Sequence, residues 1–277
     1  MITPRQIATF ITGATTIACI SGMNLLNIPL NHLAIHPSIA ATLSPDPDIK
    51  AAFNVDLSSV TLADALTKAQ AGINYVPPNR GNPTSGSTTG AGSRGCGEDS
   101  QPVSLSLLTP RDHIGQTASA HPTFFWYVSN ATNVPVKFTL VEPKVAKPVL
   151  VKQMQVNKAG IMRLEMPTDS PELVPGRQYR WTVALVCASG GGPSNKIVAQ
   201  SWIKRVAIAP SQSTQLAAAT SERDRAQIYA QGQLWYDALN SLAKAYASQP
   251  NDQSIRNDLL TLLKQVGLTQ ITAQSWQ

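Results

Sequence analysis

A histidine beside an acidic residue is the feature of this sequence closest to a catalytic group. Asp112 and His113 are adjacent, and a histidine oriented by a carboxylate is a common general base in hydrolases. The pair follows Pro110-Arg111 in a predicted loop, and no Gly-x-Ser-x-Gly motif supplies a nucleophile. We therefore interpret Asp112-His113 as a solvated turn and expect no catalytic residue.

Carboxylate pairs are the second chemistry to consider, because glycoside hydrolysis uses two acids across a cleft. The available acids lie at predicted strand ends and loops, where a solvated charge is the usual state. They are Glu142, Glu165, Asp169 and Glu172. An enzyme or carbohydrate-binding accessory acting on cell-surface glycans stays as the alternative function. Exposed coplanar aromatics would favour it, and burial of Trp126, Trp181 and Trp202 would disfavour it.

Gly90 to Gly95 formally matches Gly-x-Gly-x-x-Gly, the dinucleotide-binding pattern. That chemistry requires a strand before the glycines and a helix after them, so that backbone N–H groups meet the pyrophosphate. The surrounding sequence predicts neither element, and no P-loop motif occurs. The match is expected to be coincidental, and no cofactor is expected.

The cysteines indicate an oxidising compartment. If the N-terminal segment with Cys19 is removed, Cys96 and Cys187 remain, an even number that favours a disulfide. Closing a loop of about 90 residues would stabilise the fold by roughly 4 to 5 kcal/mol. The alternative is two unrelated buried thiols. Because no Cys-x-x-Cys or Cys/His cluster is present, no metal site is expected.

Residues 1–41 have the features of a signal peptide or signal anchor. Arg5 is the only charge, and an apolar run from Ile7 to Met23 follows it. That run is short for a membrane span, which needs about 20 apolar residues. Ser38-Ile39-Ala40 offers a small-x-small cleavage pattern. We expect an exported protein, periplasmic, extracellular or envelope-associated, that contacts the membrane only if this segment is retained.

The charge pattern excludes one class of partner. The chain carries a net charge of +6, but its Lys and Arg residues are scattered, without the basic block that nucleic-acid binding usually shows. No nucleic-acid partner is therefore expected.

Composition divides the rest of the chain into three regions. Residues 42–97 contain a predicted short helix, Thr61 to Ala71, and a flexible Gly/Pro/Ser-rich linker from Pro77 to Gly97. Residues 98–208 contain seven strand-like runs separated by turn residues, the number typical of an immunoglobulin-like β-sandwich. The runs are 103–109, 121–128, 134–142, 149–156, 160–166, 177–187 and 196–206.

The segment Leu173 to Val183 predicts the type of sandwich. Pro175-Gly176 fits a tight turn, and Tyr179 then starts a strand from which its hydroxyl can return to the connection. This arrangement resembles the tyrosine corner of fibronectin-III domains. We expect Tyr179 and Trp181 to point into the core, and Trp126 to be a core aromatic of an earlier strand.

The C-terminal residues 220–277 change to a helical period. Ser221 and Asp224 resemble a capping box, Gly232 marks a turn, and a second helix runs from Trp235 to Pro250. Its small and apolar residues match the second helix of a tetratricopeptide repeat. A third helix is predicted from Asp252 to Val266. Since one repeat cannot bury its apolar face alone, these helices should pack together, onto the sandwich or onto a partner.

Several stretches together resemble the cyanobacterial domain-of-unknown-function family number 928, whose members are predicted secreted proteins. The resemblance spans roughly Pro77 to Trp276. It is carried by Arg94-Gly95-Cys96, Pro122 to Val128, Gly160 to Leu164, Leu173 to Cys187, Ile228 to Leu239 and Val266-Gly267-Leu268. It implies no activity. The resulting expectation is a non-enzymatic, exported protein-interaction module of the cell envelope, whose protein partner the sequence does not identify.

Overall fold

The protein is represented by a computed structural model that describes residues 72–78, 87–91, 103–131, 134–186, 196–271 and 273–276. These residues form nine strands and four α-helices. The strands are β1 (Thr89–Ala91), β2 (Ser104–Leu107), β3 (Gly115–Thr117), β4 (Thr123–Val128), β5 (Pro135–Val141), β6 (Leu150–Gln155), β7 (Gly160–Glu165), β8 (Gln178–Val186) and β9 (Lys196–Arg205). The helices are α1 (Pro210–Ala218), α2 (Glu222–Gln231), α3 (Trp235–Ser248) and α4 (Gln253–Gln265), followed by a 3-10 turn, Ala273–Trp276.

The strands form two sheets. One has the order β1-β2-β4-β7 and is antiparallel throughout. The other has the order β3-β9-β8-β5-β6, and only its short β3–β9 pair is parallel. Each of the seven runs predicted from the sequence contains one of these strands. Burial alternates with the two-residue period of a strand along β5, β8 and β9.

Aromatic rings join the two sheets across a common core. The Phe124 ring of β4 lies 4.9 Å from the Phe138 ring of β5 and 5.0 Å from the Trp181 ring of β8. Trp126, on the same face of β4 as Phe124, stacks on Phe138 at 6.4 Å. Such tilted or offset ring contacts add about 1 kcal/mol each to the burial of apolar area. The sheets therefore face each other through these side chains.

Strand β1 lies inside the stretch that was predicted to be a flexible linker, so that prediction is wrong for its three residues. Gly90 explains why a strand can form there. A Cβ atom at this position would lie 2.7 Å from the Val198 carbonyl oxygen, closer than packing allows. Nearby, Ser87 accepts a hydrogen bond from the Gln200 N–H of β9. The glycine is thus used for close strand approach, not for a phosphate.

The helix ends follow the predicted signals. The Ser221 hydroxyl accepts a hydrogen bond from the Asp224 N–H at 3.0 Å and caps α2. Asp252 caps α4 through the Ser254 N–H. Gly267, with φ of +79°, follows α4 in the left-handed conformation that favours glycine. Helix α1 was not predicted, because Leu216 is its only buried residue.

The helices pack onto the sheets. The residues predicted as a sandwich domain (98–208) and as a helical unit (220–277) share one hydrophobic core, and all described residues belong to one compact unit. Trp276 covers Phe125 on the outer face of the four-stranded sheet, with ring centroids 6.1 Å apart. The predicted signal segment 1–41 and the predicted helix 61–71 lie outside the described residues, as do Cys96 and Cys187.

Candidate functional site

Two consecutive aromatic residues at the start of α3 attach the helices to the sheets. The buried Trp235 donates its indole N–H to the Leu108 carbonyl at 3.0 Å. Tyr236, also buried, inserts its ring among the core aromatics and lies 5.8 Å from the Phe124 ring. These contacts fix the position of α3, and therefore of the residues that follow on it.

The Tyr236 hydroxyl is the centre of a buried hydrogen-bond network. It accepts from the Trp181 indole N–H at 2.9 Å and donates to the Trp202 carbonyl at 3.2 Å. The Thr109 hydroxyl lies 3.2 Å away. Burial raises the pKa of Tyr236 far above its ordinary value, so the phenol stays neutral and remains a donor.

A cleft of about 400 Å³ opens where the loop after β3 faces α2 and α3. Its lining carries both signs of charge: Glu222 and Asp237 are acidic, whereas Arg225 and Lys244 are basic. The loop contributes Ser119 and His121, and α2 contributes Tyr229. This mixture of charged groups, hydroxyls and one phenol suits a small polar ligand.

Asp237 is the carboxyl group of the cleft that bonds to the loop after β3. Its carboxylate accepts a hydrogen bond from the Ala118 N–H at 3.0 Å. Burial raises its pKa to about 6, although hydrogen bonds from Ala118, Thr117 and Ser119 act in the opposite direction. It is therefore mostly ionised at pH 7 and protonated in mildly acidic solution. A half-buried carboxyl with this pKa, in a cleft, has the properties of a binding or acid–base group.

Sequence reasoning missed Asp237 because its partner Ala118 is 119 positions away in the chain. The helical period of α3 was a sequence signal that could have identified Asp237. Successive positions on a helix point about 100° apart, so Trp235 and Tyr236 facing the core would leave Asp237 at the border of the buried face. A carboxylate at such a border, in the first turn of a helix, is often held by backbone N–H groups.

The sequence that forms these sheets, helices and cleft matches a known protein family. The family model of the Domain of Unknown Function DUF928 matches residues 89–276. The chain belongs to the DUF928 family. No curated protein matches the chain. The DUF928 region begins at β1 and ends in the 3-10 turn, so it includes both sheets, the four helices and every residue of the cleft.

The aromatic residues that the sequence singled out all lie inside the DUF928 region. Trp126, Tyr179 and Trp181 are buried. The Tyr179 hydroxyl accepts a hydrogen bond from the Val174 N–H at 2.9 Å, five residues upstream at the preceding turn. Trp202 is half-buried. None of the three buried residues can contact a ligand from solvent.

Asp112-His113, the pair that we interpreted as a solvated turn, is only partly exposed to solvent. The His113 side chain is buried, so that interpretation is wrong for the histidine, although Asp112 is exposed. His113 Nδ1 lies 2.7 Å from the Asp112 carboxylate, and Nε2 lies 2.7 Å from the Tyr75 hydroxyl. The Tyr75 ring stacks on the imidazole and also contacts Trp235. The chain of bonds anchors the segment 72–78 to the core.

The acids considered for glycoside hydrolysis lie away from the cleft. Three of them form ion pairs with arginines: Glu142 with Arg177 at 2.7 Å, Glu165 with Arg163, and Glu172 with Arg205 at 3.7 Å. Asp169 is exposed.

Neither metal ligation nor membrane crossing finds support within the described part of the DUF928 chain. No three His, Cys, Asp or Glu side chains there converge as metal ligands would. No helix among these residues combines the length and apolar character that a membrane span needs.

Proposed function

We propose that this protein is a non-enzymatic, exported protein-interaction module of the cell envelope, and that the free edge of β6 binds an extended, acidic segment of a partner protein. The observation that carries the proposal is the exposure of β6. Among the described residues this strand ends its sheet and pairs only with β5. An unpaired edge offers backbone N–H and C=O groups to an added strand.

The side chains around this edge fit such a partner. Val151 is 47% exposed, and its neighbours Lys152 and Gln153 are also exposed. The preceding turn exposes Val145 (48%) together with Lys147. An added strand would bury the two valines, whereas the lysines would attract acidic side chains and favour encounter.

The architecture supports a scaffold role. We interpret the two sheets as fibronectin-III-like, because β2-β4-β7 faces β9-β8-β5-β6 and Tyr179 bonds back to its preceding turn. We interpret α2 and α3 as a tetratricopeptide-like hairpin. Export, from a cyanobacterial cell as the family resemblance implies, rests on the apolar N-terminal run and on the predicted Cys96–Cys187 disulfide.

The alternative function, an enzyme or carbohydrate-binding accessory acting on cell-surface glycans, is favoured by one observation. Asp237 and Glu222 both line the cleft, and the raised pKa of Asp237, about 6, is compatible with a general acid. Against it, Trp126 and Trp181 are buried. Hydrolysis of envelope glycans by the protein, lost in Asp237→Asn, would establish this alternative in place of the first.

Site-specific photo-crosslinking in cells tests the interaction function. A photoreactive amino acid at Val151 should give one discrete protein adduct in the envelope fraction, whereas the same amino acid at Val174, 41% exposed, should not. The double variant Lys147→Glu/Lys152→Glu should remove the adduct, because it reverses the charge beside the edge. Equal adducts at both positions, or an adduct insensitive to the charge reversal, would refute docking at β6.

A further inference from the structure

The five-stranded sheet has an unusual charge composition. Strands β5, β6, β8 and β9 together contain six Lys or Arg residues, β3 contains none, and no Asp or Glu occurs in any of the five strands. Alternating burial along β5, β8 and β9 places four of these cations on the face turned away from the core, here called the outer face. They are Lys137, Arg180, Lys196 and Lys204. An outer face with one sign of charge attracts polyanions.

These cations are available for a ligand. Lys137, Arg180 and Lys196 are exposed, and Lys204 is half-buried. None of the four forms an ion pair with another described residue. The four-stranded sheet differs in this respect, because Trp276 of the C-terminal turn covers Phe125 on the side of that sheet turned away from the core.

Strand register fixes the spacing of the charges. Arg180 lies opposite Trp202, and Lys204 lies opposite Gln178, two residues further along the ladder. Lys137 pairs with a position four residues after Arg180 on β8. With a rise of about 3.4 Å per residue and about 4.8 Å between strands, the Arg180 and Lys137 backbones are about 14 Å apart. The outer face can therefore hold charges separated along an extended polymer.

The outer face also carries apolar side chains, among them Ala184 and the 41% exposed Val198 in the row of Lys137. The polar side chains at its centre indicate the kind of polymer. Between the cations lie Thr139, Thr182 and Gln200, paired in one row across three strands. Amides and hydroxyls both donate and accept hydrogen bonds, as sugar hydroxyls require. The half-buried Trp202 beside Arg180 offers an indole surface on which a sugar ring can stack.

A protein ligand fits this outer face less well. Its backbone groups are used in the sheet ladders, so an added strand has no partners there, unlike at the β6 edge. Protein interfaces also have apolar centres that are poor in lysine, whereas this face has lysines at both ends. We propose that the outer face binds an anionic polysaccharide that carries carboxylate or sulfate groups, with Lys137 and Arg180 pairing with the anions.

Calorimetric titration of the full chain with polygalacturonate and dextran sulfate tests the inference, with uncharged dextran as the comparison. The variant Lys137→Gln/Arg180→Gln should raise the Kd for both polyanions at least tenfold. The control Lys158→Gln/Lys264→Gln removes the same charge at exposed positions elsewhere and should change the Kd less than twofold. Binding should weaken with added salt, and uncharged dextran should not bind.

Three results would overturn the inference: absence of binding to either polyanion, equal weakening by the two double variants, and tighter binding of poly-glutamate or duplex DNA than of the polysaccharides. Trp202→Ala adds a separate readout, because it should weaken polysaccharide binding while leaving any poly-glutamate binding unchanged. The inference does not rest on the proposed protein interaction: failure of crosslinking at Val151 leaves these titrations unaffected, and the reverse also holds.

Discussion

Replacing Tyr236 with phenylalanine removes one oxygen atom at the junction between helices and sheets. The ring and its contacts remain, so the perturbation isolates the hydrogen-bond network. The Trp181 indole N–H and the Thr109 hydroxyl, both fully buried, then lose their shared partner. A buried donor left without an acceptor costs about 1 to 3 kcal/mol. We expect Tyr236→Phe to lower the free energy of unfolding by about 2 to 3 kcal/mol.

Urea unfolding, followed by tryptophan fluorescence and by far-ultraviolet circular dichroism, measures this loss. With a denaturant slope of about 2 to 3 kcal/mol/M for a chain of this size, the midpoint should fall by about 1 M urea. The matched control is Tyr229→Phe. Tyr229 lines the cleft and is half-buried, and removal of its hydroxyl should change stability by no more than about 0.5 kcal/mol.

The same experiment tests whether helices and sheets unfold together. Because Tyr236 and Trp235 bond across the junction, the fluorescence and circular dichroism transitions should coincide in the wild-type protein. A Tyr236→Phe midpoint equal to that of Tyr229→Phe would refute the assigned role of the network. Two separate wild-type transitions would refute the shared core.

Three further predictions concern groups in other parts of the fold. The folded pKa of Asp237, about 6 against an ordinary 3.8, means that the folded state binds the proton more tightly. The contribution of Asp237 to stability should thus fall as pH rises from about 4 to 6. Over that window the free energy of unfolding of Asp237→Asn, measured with urea, should rise relative to that of the wild type. Tyr179→Phe should lower the free energy of unfolding by about 1 kcal/mol, because the Val174 N–H loses its acceptor. Arg223→Gln should cost about 1 to 2 kcal/mol in thermal unfolding, because it leaves the buried Asp258 carboxylate, 2.6 Å away, without its cation.

Each of these predictions has an outcome that contradicts it. A constant difference between Asp237→Asn and wild type from pH 4 to 8 would mean that the carboxyl has an ordinary pKa. Unchanged stability of Tyr179→Phe would show that water replaces the hydroxyl at the turn. An Arg223→Gln variant with the thermal stability of the wild type would show that the Asp258 carboxylate does not need the Arg223 cation.

The sequence was informative where local patterning decides structure. Strand β8 could be predicted because apolar and polar residues alternate over nine positions. Strands β1 and β3 could not, since each has three residues and includes a glycine. Strand β1 pairs with the next strand, β2, whereas β3 depends on a distant partner and pairs in parallel with β9. Short strands of this kind carry too few residues for a period to be visible.

The candidate site was less predictable than the fold, because its residues are brought together by contacts between segments distant in the sequence. His113 was expected in solvent, but Tyr75, 38 positions earlier, covers it and bonds to its ring. The cleft exists only because α3 docks beside the loop after β3, and no motif in either segment encodes that docking. Helix and strand periods report which face is buried, but they do not identify the surface that buries it.

The positions of Tyr236 and Asp237 explain why the cleft should be rigid. They are neighbours on α3, and one bonds into the core between the sheets while the other bonds to the loop backbone at Ala118. Moving the helix away from the loop would break both sets of bonds together, at a cost of several kcal/mol. The cleft therefore cannot widen by local helix motion at small cost. A ligand of this cleft must fit the existing space, and its binding should stabilise the junction between helices and sheets against unfolding.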